Sequence, residues 1–167
     1  MKFSCNRVIA LVVISSAFLL AATSCKKSNN NSSNGGINAS VSGASWAANY
    51  PTIGLYVTSF GEFEIGGVQY KGGDSTAFAI YFSTPFTLGH AMNSDTIAVD
   101  VQYINAKTLQ EYDGGDIAGW STLTVKSYDS TGHKISGSFN GVLYNVTGGS
   151  DSLVIQNGSF TSSYTVQ

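Results

Sequence analysis

A two-residue period runs through most of this chain, and it restricts the fold more than any motif does. Ile97, Val99, Val101 and Tyr103 share one phase, and Asp100 and Gln102 take the other. Phe78, Ile80 and Phe82 alternate with Ala77, Ala79 and Tyr81. Leu123 and Val125 alternate with Thr122, Thr124 and Lys126, and Ile135, Gly137 and Phe139 alternate with Ser136, Ser138 and Asn140. Successive side chains of a strand point to opposite faces, so this pattern marks strands with one face in a core and one in water. No segment carries a convincing helical period, although Thr108–Tyr112 could hold a single helical turn.

Turn chemistry falls between these runs, at Gly72-Gly73-Asp74, Asn93-Ser94-Asp95, Asp113-Gly114-Gly115-Asp116, Asp129-Ser130-Thr131-Gly132 and Gly148-Gly149-Ser150-Asp151. Two further signals read as tight hairpins. Gly66-Gly67 is expected to join Glu62–Ile65 to Val68–Lys71, and Asn157-Gly158 to join Leu153–Gln156 to Ser159–Val166. About nine or ten short strands at this spacing predict an all-β fold, an antiparallel β-sandwich or a β-barrel. The period does not separate the two. A short echo also appears: Gly137-Ser138-Phe139 is matched by Gly158-Ser159-Phe160, as two adjacent hairpin arms of similar chemistry would be.

The N-terminus has a different logic. Lys2 and Arg7 precede a short apolar run, Val8 to Ala22, and the small residues Ala22-Thr23-Ser24 then lead into Cys25. The run is shorter than the roughly 20 apolar residues of a spanning helix, and its layout is that of a secretory signal peptide. A cysteine at the cleavage point turns this into a lipoprotein signal, with Ala22 where leucine is usual. Residues 1–24 are therefore expected to be removed and Cys25 to be acylated. Residues 25–40 form the anchor and a Ser/Asn/Gly tether, and 41–167 a single all-β domain. Cys5 leaves with the signal peptide, so no intramolecular disulfide can form. Lys26 stands where Asp retains Gram-negative lipoproteins at the inner membrane. The expected location is thus the outer membrane, with the periplasmic and surface faces both open.

Charge narrows the partners. Beyond residue 40 the basic side chains are Lys71, Lys107, Lys126 and Lys134 and the histidines His90 and His133, against 10 Asp and Glu. A mildly acidic domain is a poor match for nucleic acid. Gly43-Ala44-Ser45-Trp46-Ala47-Ala48-Asn49 and the runs HKISGSFNGVLYN and DSLVIQNGSFTSSYTV resemble a family of small β-rich lipoproteins of Bacteroidota whose function is undefined. That family opens its domain with G-x-x-W-x-A and closes it with "I-S-G-x-F" and "V-x-N-G-x-F" strands. The resemblance implies a β-rich fold and an envelope location, and it carries over no catalytic or binding residue.

Chemistry-bearing groups are sparse. No G-x-S-x-G elbow, H-E-x-x-H helix or histidine cluster occurs, and His133 reads as a solvated turn residue. Glu62 and Glu64 share a strand face about 6–7 Å apart, a separation glycosidases use, but the solvent side of a strand has the same pattern. Glu111, Asp113 and Asp116 surround Gly114-Gly115 and could wrap a hard cation, but their spacing does not match an EF-hand loop and an ordinary acidic turn is the stronger reading. Asp74-Ser75, Asp95-Thr96, Asp129-Ser130 and Asp151-Ser152 resemble O-glycosylation acceptors and also suit Asx turns.

Exposed aromatics give the binding hint. Tyr112 and Trp120 flank the acidic turn, and Tyr56, Tyr81 and Tyr128 fall opposite the apolar phase. Tyr112, Asp113, Asp116 and Trp120 are therefore the candidate ligand-binding residues. The chain is expected to be a non-enzymatic, cofactor-free, lipid-anchored module that binds a glycan or an envelope protein. A structural assembly subunit and a small hydrolase using acidic residues are the alternatives.

Overall fold

The computed structural model describes residues 36–95, 99–115 and 119–167. The expected signal peptide, Cys25 and most of the expected tether lie outside the described residues, as does Asp116, while residues 36–40 of that tether form strand, with Ile37 and Ala39 in the core. Among the described residues the fold is all-β, one sheet of 11 strands. In chain order these are β1 Gly36–Val41, β2 Ala44–Ala47, β3 Ile53–Val57, β4 Glu62–Lys71, β5 Asp74–Ser83, β6 Ala91–Asn93, β7 Val99–Asn105, β8 Gln110–Asp113, β9 Trp120–Asp129, β10 Lys134–Asn145 and β11 Ser152–Val166.

Two layers emerge from the pairing. One runs β2-β1-β11-β10-β9-β6 and the other β3-β4-β5-β7-β8. They join at two corners where long strands change partner. β11 pairs with β1 up to Thr161 and then, in parallel, with β3 at Tyr164–Val166. β10 pairs with β9 up to Val142 and then with β8 at Tyr144 and Asn145. Following β11-β3-β4-β5-β7-β8-β10 returns to β11, so the ladder closes on itself like a barrel while its faces pack like a sandwich. The β3–β11 pairing is a parallel exception in the expected antiparallel fold.

The predicted apolar phases form the core. Phe63, Phe78, Ile80, Phe82, Leu123, Ile135, Phe139, Leu143, Ile155 and Phe160 are buried almost completely. Each contributes about 1.5–3 kcal/mol of transfer free energy. Aromatic rings dominate one end, where Phe63 stacks on Tyr56 at 4.6 Å and on Phe82 at 5.2 Å and meets Tyr164 edge-on at 5.1 Å. Trp46, from the G-x-x-W-x-A segment, is buried edge-on against Phe78 at 4.8 Å, and its Nε1 donates to Thr76 Oγ1 at 2.7 Å. That segment is therefore packing chemistry.

Both predicted tight hairpins need correction. β4 continues through Gly66-Gly67, and the chain reverses at Gly72-Gly73, where Lys71 faces Asp74 across a two-residue turn with φ of 63° and 90°. Positive φ at both positions is what a type I′ hairpin demands. Gly67 instead leaves room for Ile37, whose Cδ1 lies 3.0 Å from where a Cβ would stand. Asn157-Gly158 sits inside β11 as a bulge, with Asn157 at φ 53° and the register shifting between Phe139 and Gly141 on the partner strand. Thr108 and Leu109 belong to the β7–β8 turn and Gln110–Tyr112 to β8, so the one-turn helix is not formed.

Candidate functional site

The outward phases of β8, β9, β10 and β11 define the most distinctive exposed surface. Along most of the β9–β10–β11 layer the outward residues are small and polar. Ser136 pairs with Ser127 and Thr161, Ser138 with Thr124 and Ser159, and Asn140 with Thr122. At the corner with β8 this changes. Trp120, Val142 and Val154 form one cross-strand row, and Asp113, Tyr144 and Ser152 form the next. Trp120 is 47% exposed, Tyr144 39% and Val154 42%. The result is an aromatic and aliphatic patch on a Ser/Thr/Asn face.

The second row continues into the other layer, from Asp113 to Gln102, Ala79, Gly66 and Ile53. Gln102 is only 3% exposed, and its Nε2 donates to Asp100 Oδ2 at 2.9 Å and more weakly to Asp113 Oδ2 at 3.4 Å. The Gly115 amide donates to Asp113 Oδ1 at 2.6 Å. Asp113 is thus held on both sides and its carboxylate is fixed beside Tyr144. Gly119 packs against the Asp113 and Val142 carbonyls, which brings Trp120 alongside the same turn.

Of the four residues predicted to form a binding site, two share this surface. Asp113 and Trp120 both face outward at neighbouring positions on β10's flank. Tyr112 does not join them: it is one residue out of phase, points inward and is 6% exposed. Its hydroxyl donates to Asp151 Oδ2 at 2.5 Å, and Asn145 Nδ2 donates to Asp151 Oδ1 at 2.9 Å. The bond to Tyr112, then that to Asn145, holds the Asp151 carboxyl below the usual carboxylate range, and the same bond raises the Tyr112 hydroxyl. This trio ties down the β10–β11 loop.

The other aromatics split similarly. Tyr81 faces outward, between Glu64 and Asp100 in the ladder. Tyr56 and Tyr128 do not. Tyr56 opposes Phe63 and stacks on it, and Tyr128 opposes the buried Ile135 although, near the end of β9, it stays 39% exposed. The cause for Tyr128 is a register shift between Ser136 and Gly137, which makes Lys126 an extra residue and reverses the phase after it. Sequence alternation read straight through that point puts Tyr128 on the wrong face.

The acidic candidates are dispersed. Glu64 takes the outward phase of β4 expected of it, opposite Tyr81, but its neighbours leave it only 7% exposed, and burial, with Glu62 adding to it, raises its carboxyl. Glu111 is also raised, by burial and then by Asp113. Glu62 and Glu64 share one face of β4, as expected, and Asp113 on β8 lies three strand spacings or about 14 Å away from them. No group of three His, Cys, Asp or Glu able to hold a metal ion occurs among the described residues. In the Asp129-Ser130-Thr131 stretch, Asp129 Oδ1 accepts the Thr131 and Gly132 amides, the Asx turn that such a sequence makes. His133 is an exposed turn residue at φ 51°, its ring 5.2 Å from that of Tyr164.

Val142, Tyr144, Val154, Asp100 and Gln102 were not singled out from the sequence. One signal was present: the outward phase of β10 reads Ser136, Ser138, Asn140, and then switches to Val142 and Tyr144. No described helix is long and apolar enough to cross a membrane. No family model, curated protein or solved structure matches the chain.

Proposed function

We propose that this chain is a non-catalytic binding module of the cell envelope, tethered to the outer membrane by acylated Cys25. It takes a glycan or an envelope protein on the outward face at the β8–β10 corner. The observation that carries this reading is the paired rows Trp120–Val142–Val154 and Asp113–Tyr144–Ser152. Trp and Tyr supply large contact area at little cost in side-chain entropy, and a localised apolar cluster inside a polar surround is the anatomy of a docking site. The resemblance of its G-x-x-W-x-A and I-S-G-x-F segments to small Bacteroidota lipoproteins supports the envelope location and carries over no binding residue.

A glycan array and a pull-down of envelope proteins, each run with the wild type and with Trp120→Ala/Tyr144→Ala, test the reading. Binding that the double substitution removes is the expected result. Silence in both assays, or binding indifferent to both rings, would reject it. The structural-subunit alternative draws on one observation, that the patch lies on the outer surface of a sheet, which suits a broad protein contact.

A further inference from the structure

Resting on the acylation of Cys25 proposed above, we infer that the domain also docks on the bilayer directly, end-on, through Phe60 and Leu88. The end concerned is where β3 and β5 finish, β9 turns into β10 and β11 closes the chain. Phe60 sits in the β3–β4 turn at 61% exposure, and Leu88 sits in the β5–β6 loop at 51%. The two segments are tied together, because the Gly61 carbonyl accepts the Thr84 amide at 2.7 Å and the Thr84 hydroxyl at 2.9 Å. The β5–β6 loop then crosses beneath the core. Phe86 packs on Phe63, Phe82 and Tyr128, and the Gly89 amide donates to the Val125 carbonyl at 2.9 Å. Phe86 thus caps the core, and Phe60 and Leu88 are left outside it. The partly exposed Tyr128 and Val166 lie at the same end.

What covers this end follows from where the chain leaves the domain. Gly36 opposes Thr161, and β1 runs from there to Val41, which opposes Ile155. The chain before Gly36 therefore leaves β1 toward the end where Ser163 opposes Lys134 and the Tyr164 amide donates to the His133 carbonyl. Residues 26–35 separate Gly36 from Cys25. A link of that length reaches at most about 40 Å, and a Ser/Asn/Gly coil of that length averages about 20 Å. A bilayer holding the acyl chains of Cys25 is then presented to this end at high effective concentration. Leu109 and Tyr70 are exposed too, but they lie at the opposite end of the strands.

An exposed ring and an aliphatic side chain at loop tips, with a tyrosine behind them, suit the boundary between headgroups and acyl chains. Charge does not oppose the contact, since Lys126 and Lys134 stand near this end beside Glu62 and Asp129. Two such side chains bind a bilayer only reversibly, so Cys25 anchors the domain and Phe60 and Leu88 orient it. That orientation holds Trp120, at the other end of β9 and roughly 30 Å from Asp129, away from the membrane and open to its ligand.

The experiment uses the acylated protein in vesicles of phosphatidylethanolamine and phosphatidylcholine that contain nitroxide-labelled lipid. Acylation consumes the Cys25 thiol and Cys5 leaves with the signal peptide, so a single introduced cysteine takes an environment-sensitive dye. Ser59→Cys reports beside Phe60, and Thr108→Cys reports beside Leu109 at the other end. The expected result is blue-shifted emission, quenched by the nitroxide, at position 59 and aqueous, unquenched emission at position 108. Phe60→Ser/Leu88→Ser replaces only exposed side chains, and it should return the position-59 dye to water while the protein stays with the vesicles. Trp120→Ala/Tyr144→Ala should change neither dye.

An aqueous dye at position 59, equal quenching at both positions, or quenching that survives Phe60→Ser/Leu88→Ser would overturn the inference. Mass spectrometry of the same sample separates the failures. If the chain carries lipid and position 59 stays in water, the anchor stands and the docked end falls. If it carries no lipid, the lipoprotein reading and this inference fall together.

Discussion

Gly137 and Gly158 explain why two triplets of this sequence echo each other. β10 and β11 pair antiparallel so that Gly137 faces Phe160, Ser138 faces Ser159 and Phe139 faces Gly158. Each ring lies over the opposing glycine. A Cβ on Gly137 would stand 2.5 Å from Phe160 Cε1, and one on Gly158 would stand 2.7 Å from Phe139 Cδ2. The two phenylalanines are buried at 1% and 2% exposure, so neither can swing away cheaply. Gly137→Ala and Gly158→Ala should therefore each destabilise the domain by about 1–3 kcal/mol, the usual cost of overpacking, read from urea midpoints at unchanged slope. A loss below a few tenths of a kcal/mol in both would show the rings to be free to move.

Glu64 makes a prediction of opposite sign. Its carboxyl is raised on folding from 4.5, mainly by burial and then by Glu62. Between the unfolded and folded values the native state holds a proton the unfolded chain has released, so stability falls as pH rises through that window and stays lower above it. Glu64→Gln should match the wild type at pH well below 4.5 and be the more stable of the two at neutral pH. Urea unfolding of both proteins across that range measures it, and a variant less stable at neutral pH would overturn it.

At the level of elements, the two bulges decide which way side chains face. β11 presents Leu153 and Ile155 inward before Asn157, and Gly158, Phe160, Ser162 and Tyr164 inward after it. The extra residue is absorbed at Asn157, one of few side chains that tolerate positive φ. Deleting Asn157 removes the phase change and turns Phe160 and Tyr164 outward, or else slips the pairing with β10. Such a chain should show no cooperative unfolding transition and no near-ultraviolet circular dichroism. Asn157→Gly should keep both signals, because it preserves the bulge.

The same bulges mark where the sequence was legible. The period-2 phases of Phe78–Phe82, Leu123–Val125 and Ile135–Phe139 gave the core correctly, because alternation is a direct image of a half-buried strand. Asn157-Gly158 was misread because a left-handed residue followed by glycine serves a bulge as well as a hairpin, and strand continuity depends on a partner far away in sequence. Tyr128 and Tyr112 were misplaced by one residue each, which in a sheet is a change of face. Asp113 and Trp120 stand near each other on the outer surface, as expected, because the turn between them is local. Tyr144, Val142 and Val154 join them only through the register of three strands, and a single run of sequence does not show that register.

At the scale of the whole molecule, the ladder closes through two short pairings, β11 with β3 and β10 with β8. The proposed docking surface lies at the second of these corners, where the outer face of one layer meets that of the other. The described domain depends on this closure and on its core. In the proposed lipoprotein, position relative to the membrane depends on Cys25 instead. Each buried methylene of an acyl chain contributes about 0.8 kcal/mol, so one chain binds reversibly and several hold effectively permanently. Cys25→Ser should therefore shift the protein from the membrane fraction to the soluble fraction and end its incorporation of labelled fatty acid. The domain's thermal midpoint should not change, since the anchor is separated from the core by the Ser/Asn/Gly run. Binding through Trp120 and Tyr144 should also persist in the released protein. If Cys25→Ser stays with the membrane and still resists extraction by salt, attachment does not run through acylation and the lipoprotein reading fails. If it is released but no longer folds, residues before β1, which already begins at Gly36 rather than beyond residue 40, contribute to the domain.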